Sequence, residues 1–479
     1  MTRAGATAAP RDKGASLAGT ELELDVGPVA HGGICVARAE GRVVFVRHAL
    51  PGERVRARVT EGRERDPYLR ADAIEVLVAS PDRVEQPCPY AKPGRCGGCD
   101  WQHATLAAQR RLKADVVAEQ LRRLAGIERA VVVEAVPGDQ EGLGWRTRVQ
   151  FGVDAEGRLG LHKHRSTDLV PITRCRIAHP DLDELTATAV RWPGAAAVEL
   201  ATAPRRHETL VVITPRPGGR VRIPELARPA SLLLAPPGDR RRPPGDRPLA
   251  GDSAVGPAVD RGSDPGGDPG GEVERSPQLR RLKGRTWLAE EAAGRSWRVS
   301  GGGFWQVHPG ATEVLAAAVL EGLEPRAGER ALDLYAGVGL FAAVLATAVG
   351  PAGAVTAVEA DRQAIADARR NLHDLPTVHL VTGRVDRVLG VSGPAEVSGP
   401  VDLVVLDPPR SGAGREVVES ITARSPRRVA YGACDPAALA RDLRTFASAG
   451  YDLQGLRAFD LFPMTHHVEC VAVLAPRCD

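Results

Sequence analysis

The chain has 479 residues, of which 43% are hydrophobic, 26% charged and only 4% aromatic, with a formal charge of +3. That length exceeds one ordinary core and predicts two or three domains, while so small a net charge excludes a protein that grips nucleic acid by bulk charge; any basic surface must be local. With no run of ~18 apolar residues for a membrane span and no apolar secretory core in "MTRAGATAAPRDKGAS", the expectation is a cytoplasmic protein without membrane contact, whose eight cysteines are ligands, nucleophiles or core residues rather than disulfides.

Residues 1–19 carry Ala, Gly, Arg and Lys without periodicity and predict a disordered tail. Over 20–79, "ELELDVGPVAHGGICVAR", "GRVVFVRHALPGERVRARVTE" and "YLRADAIEVLV" alternate apolar and polar residues between Gly and Pro turns. That pattern predicts a small β-barrel. Its interleaved arginines fit a phosphate-tracking face or a solvated one equally well. Residues 80–299 read as a central domain. It opens on "CPYAKPGRCGGCDWQH", with Cys88, Cys96 and Cys99, and continues into helical spacing over 104–126. That helix is expected to pack on the C-terminal domain. Strand-like pieces follow, predicting a mostly antiparallel sheet. Two of them, with Trp145, Arg146, Arg148 and Phe151, and with His162 to Asp168, interleave basic and aromatic groups, a pattern that suits RNA. Residues 236–277 hold nine Pro and nine Gly and predict a disordered insertion.

From 300 to 479 the texture changes. "RALDLYAG", "AVTAVEAD", "VDLVVLDPP" and "RRVAYGACDP" are nearly wholly apolar and alternate with helical segments. They predict buried parallel strands and an α/β Rossmann-like domain. A Gly-rich turn at Gly337 and Gly339 follows the first strand, and Glu359 ends the second, where a ribose-binding carboxylate belongs. The turn lacks GxGxxG spacing, and Asp333 precedes it. That suits S-adenosylmethionine (SAM) better than a dinucleotide. Ligands of such sheets bind beyond the carboxyl ends of the strands, so Glu359, Asp407 and Cys434 should converge on one crevice.

Three motifs then carry a resemblance. "LDLYAGVGLF", "YGACDPAALARDL" and "FDLFPMTHHVECVAVL" resemble the cofactor loop, nucleophile motif and base motif of the SAM-dependent RNA uridine-5-methyltransferases, in the family's order. Residues 21–78 resemble a TRAM domain, an RNA-binding β-barrel, and the cysteine cluster resembles the family's iron–sulfur site. The resemblance implies methylation of carbon 5 of a uridine in rRNA or tRNA, with Cys434 as nucleophile and Glu469 as general base. It also implies Gln306, Tyr335, Glu359 and Asp407 at the cofactor. Two positions depart from the family pattern: Leu340 replaces a common Asn, and Asp435 replaces the Asn that usually follows the nucleophile. Neither removes a catalytic atom.

A thiolate at C6 turns uracil into an enolate able to attack an electrophilic methyl, and a carboxylate then removes the C5 proton. One Cys and one Glu therefore suffice. Cys470, beside the base, is the rival nucleophile; strand alternation should turn it into the core. Cys35 and Cys478 read as structural or incidental. In the cysteine cluster, Cys175 in "ITRCRIAHP" supplies a fourth thiol. Spacing alone allows zinc or an iron–sulfur cluster; the resemblance favours [4Fe–4S]. The family's first spacing is shorter, so the loop from Pro89 to Arg95 should bulge. Two other functions fit the sequence: methylation of another RNA base, and an RNA-binding iron–sulfur protein that has lost catalysis. Cytidine enzymes place a Cys where this chain has Arg410, and intact Cys434 and Glu469 oppose lost catalysis. RNA is the expected partner, with no obligate protein partner.

Overall fold

The computed structural model describes residues 14–237, 279–390 and 393–477. Apart from its first two residues the expected insertion at 236–277 lies outside the described residues, as do residues 1–13 of the expected tail and Cys478. The expectation that a free tail reaches residue 19 is corrected. Ser16 bridges Arg63, and the Leu17 amide donates to the Gly62 carbonyl at 3.0 Å, so this stretch is already tied to the barrel.

The barrel is one six-stranded sheet. Strands Glu21–Asp25, Ile34–Ala39, Arg42–Arg47, Arg54–Glu61 and Tyr68–Val78 send every second residue inward, so that Leu24, Cys35, Val44, Val46, Val55 and Val59 share a core. The short strand Val29–Ala30 closes the other edge. Outward, Arg54, Arg56 and Arg58 meet Glu23, Glu75 and Glu21 at 3.3, 2.5 and 2.9 Å. That strand therefore presents a charge-matched, solvated face, each pair worth about 0–1 kcal/mol.

Thr105 caps the helix Leu106–Gln120 by accepting from the Ala108 amide at 3.2 Å. The helix runs on through a wider turn, Leu121–Ala125, and stops at left-handed Gly126. Lys113, in its middle, is fully buried. Its Nζ donates to Asp460 at 2.5 Å and to the Phe462 carbonyl at 3.0 Å. Losing either partner would strand a buried charge at a cost of about 3–5 kcal/mol. The helix is thus held to the C-terminal sheet rather than to the sheet that follows it in sequence.

The central sheet has seven strands in the order Leu169–Pro171, Leu159–His162, Arg148–Val153, Ala195–Ala203, Glu208–Pro215, Ser231–Leu234, Arg280–Lys283. All neighbours run antiparallel except Glu208–Pro215 with Ser231–Leu234. A hairpin, Trp287–Ala292 with Arg295–Ser300, leads into the C-terminal half.

That half is built on an eight-stranded sheet: Val378–Thr382, Ala354–Glu359, Arg330–Leu334, Leu403–Leu406, Arg428–Ala433, Glu469–Pro476, Tyr451–Asp460, Val133–Ala135. The first five are parallel, and Glu469–Pro476 inserts antiparallel beside them. Leu403–Leu406 is buried throughout because apolar clusters cover both faces of the sheet. The edge strand Val133–Ala135, in sequence part of the central segment, pairs parallel with Tyr451–Asp460 instead. Strand order reverses between Arg330–Leu334 and Leu403–Leu406, which opens a crevice at their carboxyl ends. Among the described residues no helix is long and apolar enough to cross a membrane.

Candidate active site

Strand pairing brings the two residues expected to do the chemistry together. Ala433 stands opposite Cys470 in the antiparallel register of Arg428–Ala433 with Glu469–Pro476. One step further, the same register sets Cys434 opposite Glu469, and alternation turns that pair to the other face of the sheet. Cys470 is wholly buried in the apolar cluster. Asp407 follows the neighbouring strand and leans over Gly432, where a Cβ would meet its Oδ1 at 3.2 Å. Gly432 is two residues before Cys434 and so shares its face.

These groups crowd like charges. Burial pushes the Glu469 carboxyl well up, Asp407 adds to it, and Arg410 opposes. Burial likewise lifts Asp407 to about 6. The Cys434 thiol is raised first by burial and then by Glu469; Arg410 opposes, and Asp407 and Asp435 add. Arg410 Nη2 stands 3.5 Å from His467 Nε2. The sequence marked Arg410 only as the residue that replaces a second cysteine; the fold sets it near Cys434 and Glu469 as a countercharge.

Three of the expected cofactor residues, Tyr335, Glu359 and Asp407, stand at the carboxyl ends of the parallel strands. Tyr335 takes a left-handed φ of 64°, and Gly337 and Gly339 follow at 57° and 97°. Among the described residues, beyond its chain neighbours, no atom stands within 4 Å of a Cβ built on Gly337, so a ligand can approach that backbone; one on Gly339 would strike Leu372 at 2.6 Å. Glu359 shapes this loop. One carboxylate oxygen accepts from the Gly337 amide at 2.9 Å and the other from the Asp361 amide at 2.7 Å. Asp333 below accepts from the Ala342 amide at 2.7 Å, while its second oxygen is buried without a partner among the described residues. Burial lifts the Asp333 carboxyl to about 7. Gln306 follows the glycine run 301–303 and Phe304, whose side chain is 58% exposed. The next residue, Val307, anchors this loop, its carbonyl accepting from the Thr147 amide and hydroxyl at 2.9 and 3.0 Å.

The first basic segment of the central domain is tied into the fold at both its arginines. Arg148 donates to the Gly303 carbonyl at 2.6 Å, with its Nε buried and without a partner among the described residues, so it braces the loop that carries Phe304 and Gln306. Arg146 donates to the Arg148 carbonyl at 3.1 Å and offsets charge on Cys96 and Cys175. The segment from His162 packs on the cysteine loop: the Gly97 amide donates to the His162 carbonyl at 2.9 Å, and Cys96 bridges Lys163.

Cys88, Cys96, Cys99 and Cys175 are all free thiols in one neighbourhood. Burial raises Cys99 well above the thiol range, and Cys175, Cys96 and Cys88 add to it in turn. Such mutual repulsion is what a cationic centre reverses. Gln102 ties the group together, donating to Cys99 Sγ at 3.1 Å and accepting from the Cys88 amide at 3.0 Å. Among the described residues no group of three or more His, Cys, Asp or Glu side chains is set to hold a single metal ion.

The barrel contributes a wall that sequence reasoning did not assign. Beside Cys434 lies a cavity of about 30 Å³ lined by His31 and Gly33 of the barrel turn and by Arg410, Asp435, His466 and His467. Trp101 Nε1 donates to the Gly33 carbonyl at 3.0 Å. His466 Nδ1 sits 2.6 Å from Asp100, which Arg47 of the barrel approaches at 3.6 Å. Burial works against the Asp100 carboxylate, but His466 and Arg47 hold it well below the usual carboxylate range.

The family described as TRAM domain matches residues 15–74. The family described as tRNA (Uracil-5-)-methyltransferase matches residues 398–477, and the Methyltransferase small domain matches 310–432. An uncharacterized RNA methyltransferase of Streptomyces avermitilis is 50% identical over 96% of this chain and 99% of its own length. Another, from Bifidobacterium longum, is 34% identical over 95% of this chain and 96% of its own. Among solved structures, the Pyrococcus abyssi tRNA (uracil-54, C5)-methyltransferase in complex with S-adenosyl-L-homocysteine superposes with a TM-score of 0.64. It covers 94% of this chain and 99% of its own at 22% identity, a likeness of fold.

Proposed function

Since the chain belongs to the SAM-dependent RNA methyltransferases of the tRNA uracil-5-methyltransferase type, we propose that it methylates carbon 5 of a uridine in structured RNA, 23S rRNA or tRNA. The observation that carries this reading is the register that sets Cys434 opposite Glu469 beside Asp407 and Arg410.

The steps balance as follows. Cys434 Sγ adds to uracil C6, and the C5–C6 double-bond electrons move to the C4 carbonyl as an enolate. SAM serves as co-substrate and supplies an electrophilic methyl on a cationic sulfur. C5 takes that methyl and a neutral thioether leaves. Glu469 accepts the C5 proton, the C–H electrons restore the double bond, and Cys434 departs as thiolate. Arg410 compensates the anionic forms of both. Asp407, Tyr335 and Gln306 line the donor's place in this reading. Each Glu359 oxygen, already accepting one amide, keeps a lone pair for a ribose hydroxyl. The target carbon is hidden in a stacked base and must be flipped out, and exposed Phe304 offers a ring on which a splayed base can stack.

For the four cysteines we propose a [4Fe–4S] cluster, which would cross-link the loop of residues 88–99 to the segment at Cys175 and help fold the central domain. A zinc ion would need its sulfurs drawn round one centre at ~2.3 Å; a cluster bridges more widely spaced thiols. Anaerobically purified protein is expected to contain iron and acid-labile sulfide in equal amounts and to lose both on Cys175→Ser. Zinc in place of iron would overturn the assignment.

Nucleoside mass spectrometry tests the reaction. Incubation with methyl-labelled SAM and unmodified tRNA or 23S rRNA transcripts is expected to yield labelled 5-methyluridine in one pool. Labelled 5-methylcytidine, or RNA bound without label, would reject this function.

A further inference from the structure

A carboxylate stands immediately beside the nucleophile. Asp435 follows Cys434 just past the strand Arg428–Ala433 and caps the helix Pro436–Ser448, its Oδ1 accepting from the Ala438 amide at 2.7 Å. A helix N-terminus favours a thiolate, but a neighbouring negative charge opposes one. Asp435 adds to the forces that raise the Cys434 thiol. Its other oxygen, Oδ2, is met at 3.1 Å by Nε2 of His31, a residue 404 positions away on the barrel turn. Burial would lift the Asp435 carboxyl, yet the hydrogen bond and charge of His31 win and hold it below the usual range.

That turn is built to stay in place. A Cβ on Gly33 would strike the His466 Cβ at 2.4 Å, so only glycine lets the turn lie this close. Trp101 fixes the Gly33 carbonyl, and the Asp100 pairs with His466 and Arg47 close the same seam.

We propose that the barrel supplies a positioning residue to the active site: His31 holds Asp435 and draws its charge away from Cys434, so that the nucleophile is competent only with the barrel docked. This rests on Cys434 as nucleophile. The other charged groups around the thiol are Glu469, Asp407 and Arg410, with His466 and His467 across the cavity and Arg441 near Asp435. His31→Ala leaves all of them in place.

The test follows iodoacetamide alkylation of Cys434 in the full-length protein, mapped by peptide mass spectrometry across pH and without RNA. Loosening of the barrel alters how fast the thiol is reached at high pH; loss of charge compensation alters the midpoint. His31→Ala is expected to move the midpoint to higher pH by about half a unit, roughly a threefold loss of thiolate near neutrality. Asp435→Asn keeps the helix cap and removes the charge, so His31→Ala/Asp435→Asn is expected to return the midpoint to that of Asp435→Asn alone. His31→Gln, which keeps a donor, is expected between wild type and His31→Ala, and carries the test if the alanine variant does not fold. An unchanged midpoint in the His31 variants, or a shift that persists undiminished in the double variant, would overturn the proposal. Alkylation does not depend on which base is methylated, so failure here leaves the nucleoside assay to judge the reaction by itself.

Discussion

Cys434→Ala is expected to abolish the covalent complex with RNA containing 5-fluorouridine and to lower methylation by ~10⁴-fold or more, with SAM affinity unchanged. Fluorine at C5 cannot leave as a proton, so the wild-type enzyme stalls with Sγ bound to C6, and a shifted band on a denaturing gel counts the adduct. Alanine removes the attacking atom and little else, because Cys434 caps nothing and the cofactor loop is shaped by Glu359 and Asp333. Cys470→Ala is the control. Its sulfur is buried in the apolar cluster on the far face of the sheet, so that variant is expected to keep the adduct and lose only some stability, of the order seen for small core truncations, ~1 kcal/mol. An adduct that persists in Cys434→Ala would require another nucleophile and end this mechanism.

Much of this was legible because the C-terminal sheet is regular. Its strands are uniformly apolar, each ends on a residue of another kind, and carboxyl ends of parallel strands meet at one crevice, so Glu359, Asp407 and Cys434 could be brought together on paper. The alternation that separates Glu469 from Cys470 is a property of any strand. What the sequence hid has no local signature. His31 lies in "AHGGIC", which reads as a Gly-Gly turn and nothing more, yet it reaches Asp435. Lys113 sits in a helix of good formers and carries no mark of burial, since its partner Asp460 is 347 positions away. Val133–Ala135 is three residues long, too short for any period to show, and its place at the edge of the C-terminal sheet comes from pairing alone. Arg146 and Arg148 show the same limit. Alternating basic residues on a strand suit RNA, and nothing local in the sequence shows that one also offsets charge at the cysteines and the other also braces a loop. Charge pattern says that a group is costly to bury, not whether a partner awaits it inside.

Glu469→Gln should separate the two halves of the reaction. The amide keeps the shape of the side chain and cannot take a proton, so addition and methyl transfer proceed while elimination stalls. Ordinary RNA, without fluorine, is then expected to accumulate as a covalent complex in this variant, with turnover reduced by roughly 10²–10⁴-fold. In the native enzyme the base must first be ionised. Burial raises both Glu469 and Asp407, and Asp407 further disfavours charge on Glu469. A raised carboxyl holds its proton to higher pH, so elimination is slow in acid and quickens as pH climbs through the pair's apparent values, with one limb extending above that of Asp407 near 6. The same rise in pH ionises Cys434, so both steps favour the alkaline side. In Glu469→Gln the like charge opposite Cys434 is gone, which moves adduct formation towards lower pH even as release fails. Adduct formation moved to lower pH together with loss of release in one variant is a signature that a merely destabilised fold would not give, and wild-type rates of adduct breakdown in Glu469→Gln would remove Glu469 from the role of base.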